Sequence, residues 1–284
     1  MTVGIVGLGL IGGSFAKALK RGGTDVYAWN RDEDVLELAL ADSCSQKLTK
    51  DNISDCELLI LCSYPEHCVE WLREFATYIK EDAIVIDAAG TKRKICAACW
   101  EIAHEFGFTF IGAHPMAGTQ FSGYANAKAD MFVGAPMILV PEKNLTDMQR
   151  VVLVDKVQTA LEPCGFGFYT LSTPEHHDKI IAYTSQLAHV VSSAYANNEL
   201  ALAHDGFSAG SWKDLTRVAW MNAGMWTELF LENGDYLSEV IGHTIENLQR
   251  CKAAIDAKDE VALQEFLQEG DTIKRKSEEK RTQK

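Results

Sequence analysis

The chain has 284 residues, 47% of them apolar and 24% charged, with a formal net charge of −13, which is length enough for two domains and at least one large core. That acidic balance disfavours nucleic acid and anionic membranes as partners, so a small anionic ligand has to be held by a local positive site. The cysteines show no disulfide-domain spacing, the first residues read as a strand rather than a signal peptide, and no apolar run reaches the about 18 residues of a membrane span; the expectation is a cytoplasmic protein in a reducing compartment.

An apolar strand over 3–6 runs straight into Gly7-Leu8-Gly9-Leu10-Ile11-Gly12, and Phe15, Ala16, Ala18 and Leu19 follow at helical spacing. Gly-x-Gly-x-x-Gly between a strand and a helix is the dinucleotide fingerprint. Gly7 permits the tight turn, Gly9 lets backbone approach phosphate, Gly12 lets the helix pack on the strand, and the helix N-terminus offers free N–H groups to the pyrophosphate. A second strand over 25–29 ends at Asn30-Arg31, roughly 20 residues past the glycines, where NAD enzymes place an acid on the ribose hydroxyls. Neutral Asn30 removes repulsion against a 2′-phosphate and Arg31 can pair with it, while the following Asp32 could restore NAD binding; the pattern favours NADP over NAD.

Helix and strand then alternate. A helix is expected over 34–41 and a buried strand over 58–62, and Ser63-Tyr64-Pro65-Glu66 opens another helix. Cys62 and Ser63 thus fall at a strand's carboxyl end, on the cofactor side. A strand over 83–86 ends in Asp87-Ala88-Ala89-Gly90-Thr91-Lys92, followed by a helix over 94–106. A strand over 108–111 enters the loop Gly112-Ala113-His114-Pro115-Met116-Ala117-Gly118. Strands over 137–140 and 167–170 flank a helix over 146–161. This is an α/β, Rossmann-type doubly wound sheet whose ligands lie beyond the carboxyl ends of its strands. Cys96 and Cys99 form a CxxC inside an amphipathic helix with no second pair, and read as small helix residues rather than a redox or zinc site.

From Ser172-Thr173-Pro174-Glu175 onward the pattern is helical. A long helix is expected from there to about His204, Ser211-Trp212-Lys213-Asp214 looks like another capped start, and Leu237, Val240, Ile241, Ile245, Leu248 and Ile255 recur at helical spacing, continued over 261–267. The charged tail over 274–284 is expected to fray. The division is a dinucleotide-binding domain over 1–171 and an all-helical C-terminal domain over 172–284. Apolar faces on its last helices fit burial against another subunit, or within one chain.

His114 stands where loops of this fold carry function. A histidine there can accept a hydroxyl proton while hydride leaves the same carbon; read alone, it can equally stabilise the loop. Asp178, Ser185 and His189 are seven and four residues apart, which puts them on one helix face, more commonly a merely polar one. Arg217 alone reads as a surface or ion-pair residue, which Asp214, one turn earlier, could orient.

Taken together, these motifs resemble the prephenate and arogenate dehydrogenases of tyrosine biosynthesis. The resemblance spans the chain: the glycine turn, His114-Pro-Met-Ala-Gly-Thr119 with Ser122-Gly123, Glu175-His-His-Asp178, Ser185-Gln-Leu-Ala-His189, Asp214-Leu-Thr-Arg217, Met225-Trp226 and Glu232-Asn233. It implies NAD(P)-dependent oxidative decarboxylation of prephenate to 4-hydroxyphenylpyruvate, or the arogenate equivalent, in a homodimer. It makes His114 the group on the C4 hydroxyl and Arg217 a carboxylate binder, with Ser185, His189, Thr119, Asp214 and Trp226 on the substrate side. Two departures stand out. The family usually has a serine where Gly90 stands, touching both the catalytic histidine and the substrate; Thr91 or a water is the expected replacement. Gln120 stands where many members have an acid, and Gln186 replaces a common histidine. The alternatives on the same two-domain plan are a β-hydroxyacid dehydrogenase or imine reductase, or a catalytically dead NADP-binding protein. Lys179 followed at four residues by Tyr183 instead of Asn argues against the hydroxyacid enzymes, and joint retention of His114, Arg217 and His189 argues against a dead site.

Overall fold

A computed structural model describes residues 1–282. Eight strands among them form one sheet in the order β3-β2-β1-β4-β5-β6-β7-β8. The chain opens with β1 (Thr2–Val6), α1 (Leu10–Arg21), β2 (Asp25–Trp29) and α2 (Glu33–Asp42), and a two-residue edge strand, β3 (Gln46–Lys47), follows. It then crosses to the other side of β1 with β4 (Leu58–Leu61), α3 (Pro65–Phe75), β5 (Ile84–Asp87), α4 (Arg93–Phe106) and β6 (Thr109–Pro115). β1 to β6 pair in parallel, so the order reverses between β1 and β4, the switch point at which such sheets bind ligands. β7 (Pro136–Val140), α5 (Asp147–Ala160) and β8 (Phe168–Leu171) complete the sheet.

Two apolar layers hold the helices. Phe15 and Leu19 of α1, Leu36 of α2, and Leu153 and Val157 of α5 pack with Val3, Ile5 and Ile86 on one face of the sheet. Trp71 and Leu72 of α3 and Cys96, Cys99 and Ile102 of α4 pack with Val6, Leu59 and Val85 on the other. The CxxC cysteines are therefore core residues, and burial pushes both thiols far above their usual range.

Several expectations need correcting here. The strand expected over 108–111 runs on to Pro115, because its second half pairs antiparallel with β7, His114 facing Ile138 in register. His114 thus sits in a strand at the sheet's carboxyl edge, not in a loop. β3 had no apolar pattern to announce it: Gln46 and Lys47 are both exposed. The long helix is shorter and interrupted. α6 (Pro174–Ile181) begins under a Thr173 cap, passes through a π-helical segment (Ala182–Gln186) and continues as α7 (Leu187–Ala196), ending before His204. α8 (Gly210–Thr216) starts after Ala209 without a side-chain cap, so Ser211 lies inside it. α9 (Ala223–Glu232) is capped by Asn222.

Residues 1–233 form one compact unit and Gly234 begins a second. The second unit is a pair of helices, α10 (Gly234–Ala257) and α11 (Glu260–Thr282). Lys258 turns the chain between them with a φ of 52°, and Asp259 accepts the Ala262 N–H. The tail expected to fray is helical through Thr282, with Lys274–Glu278 and Arg275–Asp271 pairs at helical spacing; residues 283–284 lie outside the described part. No helix among the described residues is long and apolar enough to cross a membrane.

Candidate active site

The glycine turn is built as its sequence implies. Gly7 has a φ of 93°, a left-handed value that favours glycine, and its N–H bonds the Trp29 carbonyl at 2.8 Å. At Gly12 a Cβ would stand 1.9 Å from the Gly7 carbonyl oxygen, so only glycine lets α1 lie this close to β1. At Gly9 a Cβ would meet nothing within 4 Å. Gly9 opens α1 with no side-chain cap and no acid in the first turn, so the N–H groups of Leu10 and Ile11 start an uncapped helix beside open space. That is what a dinucleotide pyrophosphate requires.

Asn30 closes the turn from β2: its Oδ1 accepts the Leu8 N–H at 2.9 Å and its amide donates to the Asp32 carbonyl. Asp32 is engaged as the cap of α2, accepting from the Asp34 and Val35 N–H groups. Arg31 is exposed and makes no ion pair among the described residues. Cys62 and Ser63 follow β4 at the switch point. The Cys62 backbone packs on Gly7, and burial raises its thiol well above the usual range, which leaves it a packing residue.

The second cluster lies at the ends of β5 and β6. Asp87 and Lys92 form a fully buried ion pair, with both side chains 0% exposed. The Asp87 carboxylate also accepts the Ala89 N–H at 2.9 Å and the Ala113 N–H at 2.8 Å, so it ties the 87–92 turn to the residue before His114. His114 Nδ1 lies 2.9 Å from His177 Nε2, and His177 Nδ1 lies 2.7 Å from Asp178 Oδ1. Asp178 further accepts the Lys92 and Arg93 backbone N–H groups and the Arg93 Nε. Burial, the neighbouring His177 and the Lys92 charge hold His114 well below the ordinary imidazole value, so it is neutral at neutral pH. The Thr91 hydroxyl donates to Glu232 at 2.5 Å and makes no hydrogen bond to His114 among the described residues, so it does not take up the missing serine's contact with the histidine. Asp178 likewise does not share an outward face with Ser185 and His189; it is 1% exposed and turned onto α4, and the π-helical segment between them breaks the seven-residue register.

The third cluster is helical. The His189 and Trp226 rings are 3.8 Å apart between centroids, and His189 Nδ1–H donates to the Val218 carbonyl at 2.8 Å. Burial lowers the His189 pKa, and the Arg217 charge acts in the same direction. Arg217 is exposed, and no ion pair among the described residues joins it to Asp214. Gln186 is buried, bonded to the Leu229 carbonyl and to Asn233, which in turn reaches the Asp178 carbonyl and Arg93. Ser185 is half-buried. Thr119 and Gln120 are exposed, the Thr119 hydroxyl bonding the Phe121 backbone.

Comparison with known proteins identifies the family. Residues 15–169 match the family model described as the prephenate dehydrogenase nucleotide-binding domain, and residues 173–269 match the prephenate dehydrogenase dimerization domain. The chain belongs to the prephenate dehydrogenase family. Members of that family are NAD(P)-dependent oxidoreductases. A cyclohexadienyl dehydrogenase of Zymomonas mobilis is 29% identical over 94% of this chain and 92% of its own. The arogenate dehydrogenase structure from Synechocystis superposes with a TM-score of 0.80 at 26% identity, covering 98% of this chain and all of that one. The Aquifex aeolicus prephenate dehydrogenase, solved with hydroxyphenyl propionate and NAD+, gives 0.78 at 29% identity over 98% of both chains.

Within this family setting, sequence reading missed His177 and the Asp87–Lys92 pair. The signal for His177 was its place beside Asp178 in the Glu175-His-His-Asp motif. For Asp87 and Lys92 the signal was two opposite charges bracketing a turn that the strand pattern buries.

Proposed function

We propose that this chain is a prephenate dehydrogenase, converting prephenate to 4-hydroxyphenylpyruvate and CO2 with a nicotinamide dinucleotide, in a cytoplasmic homodimer. The observation that carries the reading is the place of His114, half-buried at the carboxyl edge of β6 and bonded to His177, in a sheet whose switch point bears an uncapped, glycine-lined helix start. In this reading Gly7, Leu8, Gly9, Leu10, Ile11 and Gly12 hold the pyrophosphate, with Cys62 and Ser63 beneath. When bound, the cofactor supplies the hydride acceptor. His114 takes the proton of the substrate's C4 hydroxyl as hydride leaves C4. The ring carboxylate then departs as CO2, the ring becomes aromatic, and His114 can return the proton to the phenolic oxygen. Arg217, exposed and making no ion pair among the described residues, binds a substrate carboxylate, a task for which a permanently charged planar fork suits it. His189, Trp226 and Ser185 line the substrate side, with Asp214 and Thr119 at its margin. Thr91 acts on Glu232 rather than on substrate.

The domains in this reading are 1–171 for cofactor and 172–284 for substrate and dimerisation. The dimer is supported by the match to a dimerization domain and by Leu202 and Phe207, each 92% exposed. All eight cysteines are free thiols, in keeping with a reducing compartment. NADP is favoured over NAD because Asn30 and Asp32 are both committed to backbone groups while Arg31 makes no ion pair among the described residues.

Prephenate is favoured over arogenate because Gln120 carries no charge to pair with the arogenate ammonium. Removing the partner of a charge is costly, so one residue can decide such a preference. The test is kcat/KM for both substrates with wild type and Gln120→Glu. The expected result is a wild-type preference for prephenate that shifts toward arogenate in the variant. A wild-type preference for arogenate contradicts the assignment.

A further inference from the structure

The family resemblance leads one to expect a serine at position 90 that touches the catalytic histidine. Here there is no side chain, and the space is spoken for: a Cβ on Gly90 would stand 3.3 Å and 3.5 Å from the two methyl carbons of Leu229. The neighbouring hydroxyl, that of Thr91, is turned to Glu232. Among the described residues, His177 Nε2 is the one side-chain hydrogen-bond partner of His114. We propose that His177, held by Asp178, is the positioning residue that orients His114 and fixes its tautomer, with the proton on Nδ1 and the lone pair on Nε2 toward substrate. This rests on the reading of His114 as the proton acceptor.

The chain of bonds leaves little choice of direction. Asp178 Oδ1 faces the Lys92 N–H at 2.7 Å, and its Oδ2 faces the Arg93 N–H at 2.9 Å and Arg93 Nε at 3.2 Å. Burial works to raise this carboxyl, but those donors together with His177 outweigh it and hold it below the ordinary carboxylate value. An ionised carboxylate can only accept, so His177 Nδ1 carries the proton toward it. Burial and the Lys92 charge keep His177 from taking a second proton. Its Nε2 is then a lone pair, which must accept from His114 Nδ1–H. The remaining nitrogen of His114, Nε2, has no hydrogen-bond partner among the described residues and carries the free lone pair that a base needs. When Nε2 takes up the substrate proton, the resulting imidazolium already donates Nδ1–H to an acceptor backed by a carboxylate. A reversed chain would place a proton on Nε2 and leave the base unable to act.

The tautomer is read directly by nitrogen-15 NMR of histidine-labelled wild-type protein without substrate. Protonated Nδ1 and bare Nε2 on His114, assigned against His114→Asn, is the expected result; a protonated Nε2 overturns the proposal. This measurement needs no activity, only a folded His114→Asn protein for the assignment, so a failure of the substrate assignment leaves it standing as a separate test. The functional arm compares His177→Gln, which keeps an acceptor amide, with His177→Leu, which keeps none. The expected result is a fall in kcat of about 10²-fold for Leu, much less for Gln, with cofactor affinity and substrate KM little changed, consistent with the range for positioned bases. Equal loss in both variants, or a Leu variant within threefold of wild type, overturns the positioning role.

Discussion

The glycine turn offers a paired perturbation whose two halves fail in opposite ways. In Gly12→Ala the new methyl stands 1.9 Å from the Gly7 carbonyl oxygen and 3.0 Å from Cys62 Cβ, so α1 has to retreat from β1 by about an ångström. An overlap this short with backbone lies in the upper part of the overpacking range, about 2–3 kcal/mol, and the better helix propensity of alanine offsets about 1 kcal/mol of it, which leaves about 1–2 kcal/mol. At about 2–4 °C per kcal/mol for a chain of this length, the melting temperature of the cofactor-free protein should fall by about 2–8 °C. Displacing the helix start also moves the N–H groups that face the pyrophosphate, so binding should weaken as well. Gly9→Ala is the contrast. Its backbone is extended, which alanine adopts freely, and its methyl would meet nothing within 4 Å. The melting temperature should therefore hold or rise slightly, as alanine narrows the unfolded ensemble by about 0.4–1 kcal/mol. Cofactor affinity should drop by about tenfold or more, because the methyl occupies the space reserved for phosphate. Thermal melts of the free protein and fluorescence titration with reduced cofactor measure both effects. Gly9→Ala binding cofactor like wild type would refute the close backbone approach, and an unshifted melting temperature in Gly12→Ala would refute the packing argument.

Three further outcomes are expected. His114→Asn should lower kcat by about 10²–10⁴-fold with cofactor binding retained, and the wild-type acid limb of kcat/KM, which reports the free enzyme, should lie below the ordinary imidazole range because His114 has to be neutral to act and its pKa is lowered; full turnover in the mutant, or an acid limb above that range, counts against its role. Arg31→Ala should weaken NADP more than NAD in parallel titrations, whereas equal losses would remove Arg31 from the choice between them. Arg217→Ala should chiefly raise the substrate KM, as removal of ground-state carboxylate binding does; an unchanged KM with a collapsed kcat would move Arg217 to transition-state work.

What the sequence made legible follows from how local each signal is. The glycine turn, the apolar runs of β1 and β4, and the Thr146 and Thr173 caps are written within a few adjacent residues, and the elements stand where those residues put them. β3 is two exposed residues whose only reason to be a strand is the backbone of β2 beside them. The antiparallel turn of β6 onto β7 depends on pairing between residues 112 and 140, which no periodicity announces, and so His114 was expected in a loop. Of the site, His114 and the glycines were visible because their chemistry or backbone freedom is unusual by itself. His177 was not. Its role arises only when α6 is laid against the ends of β5 and β6, where it meets a histidine 63 residues away. The π-helical segment is hidden in the same way: residues 182–186 carry no breaker, yet they rotate Ser185 and His189 out of register with Asp178.

The central claim is the reaction itself. The most direct test is to incubate the purified full chain with prephenate and, separately, NADP and NAD, following the absorbance of reduced nicotinamide together with release of CO2. The account predicts reduced cofactor and CO2 in equal amounts, faster with NADP, and 4-hydroxyphenylpyruvate as the product. No reduction of either cofactor by prephenate, in protein that still binds the cofactor, would contradict it.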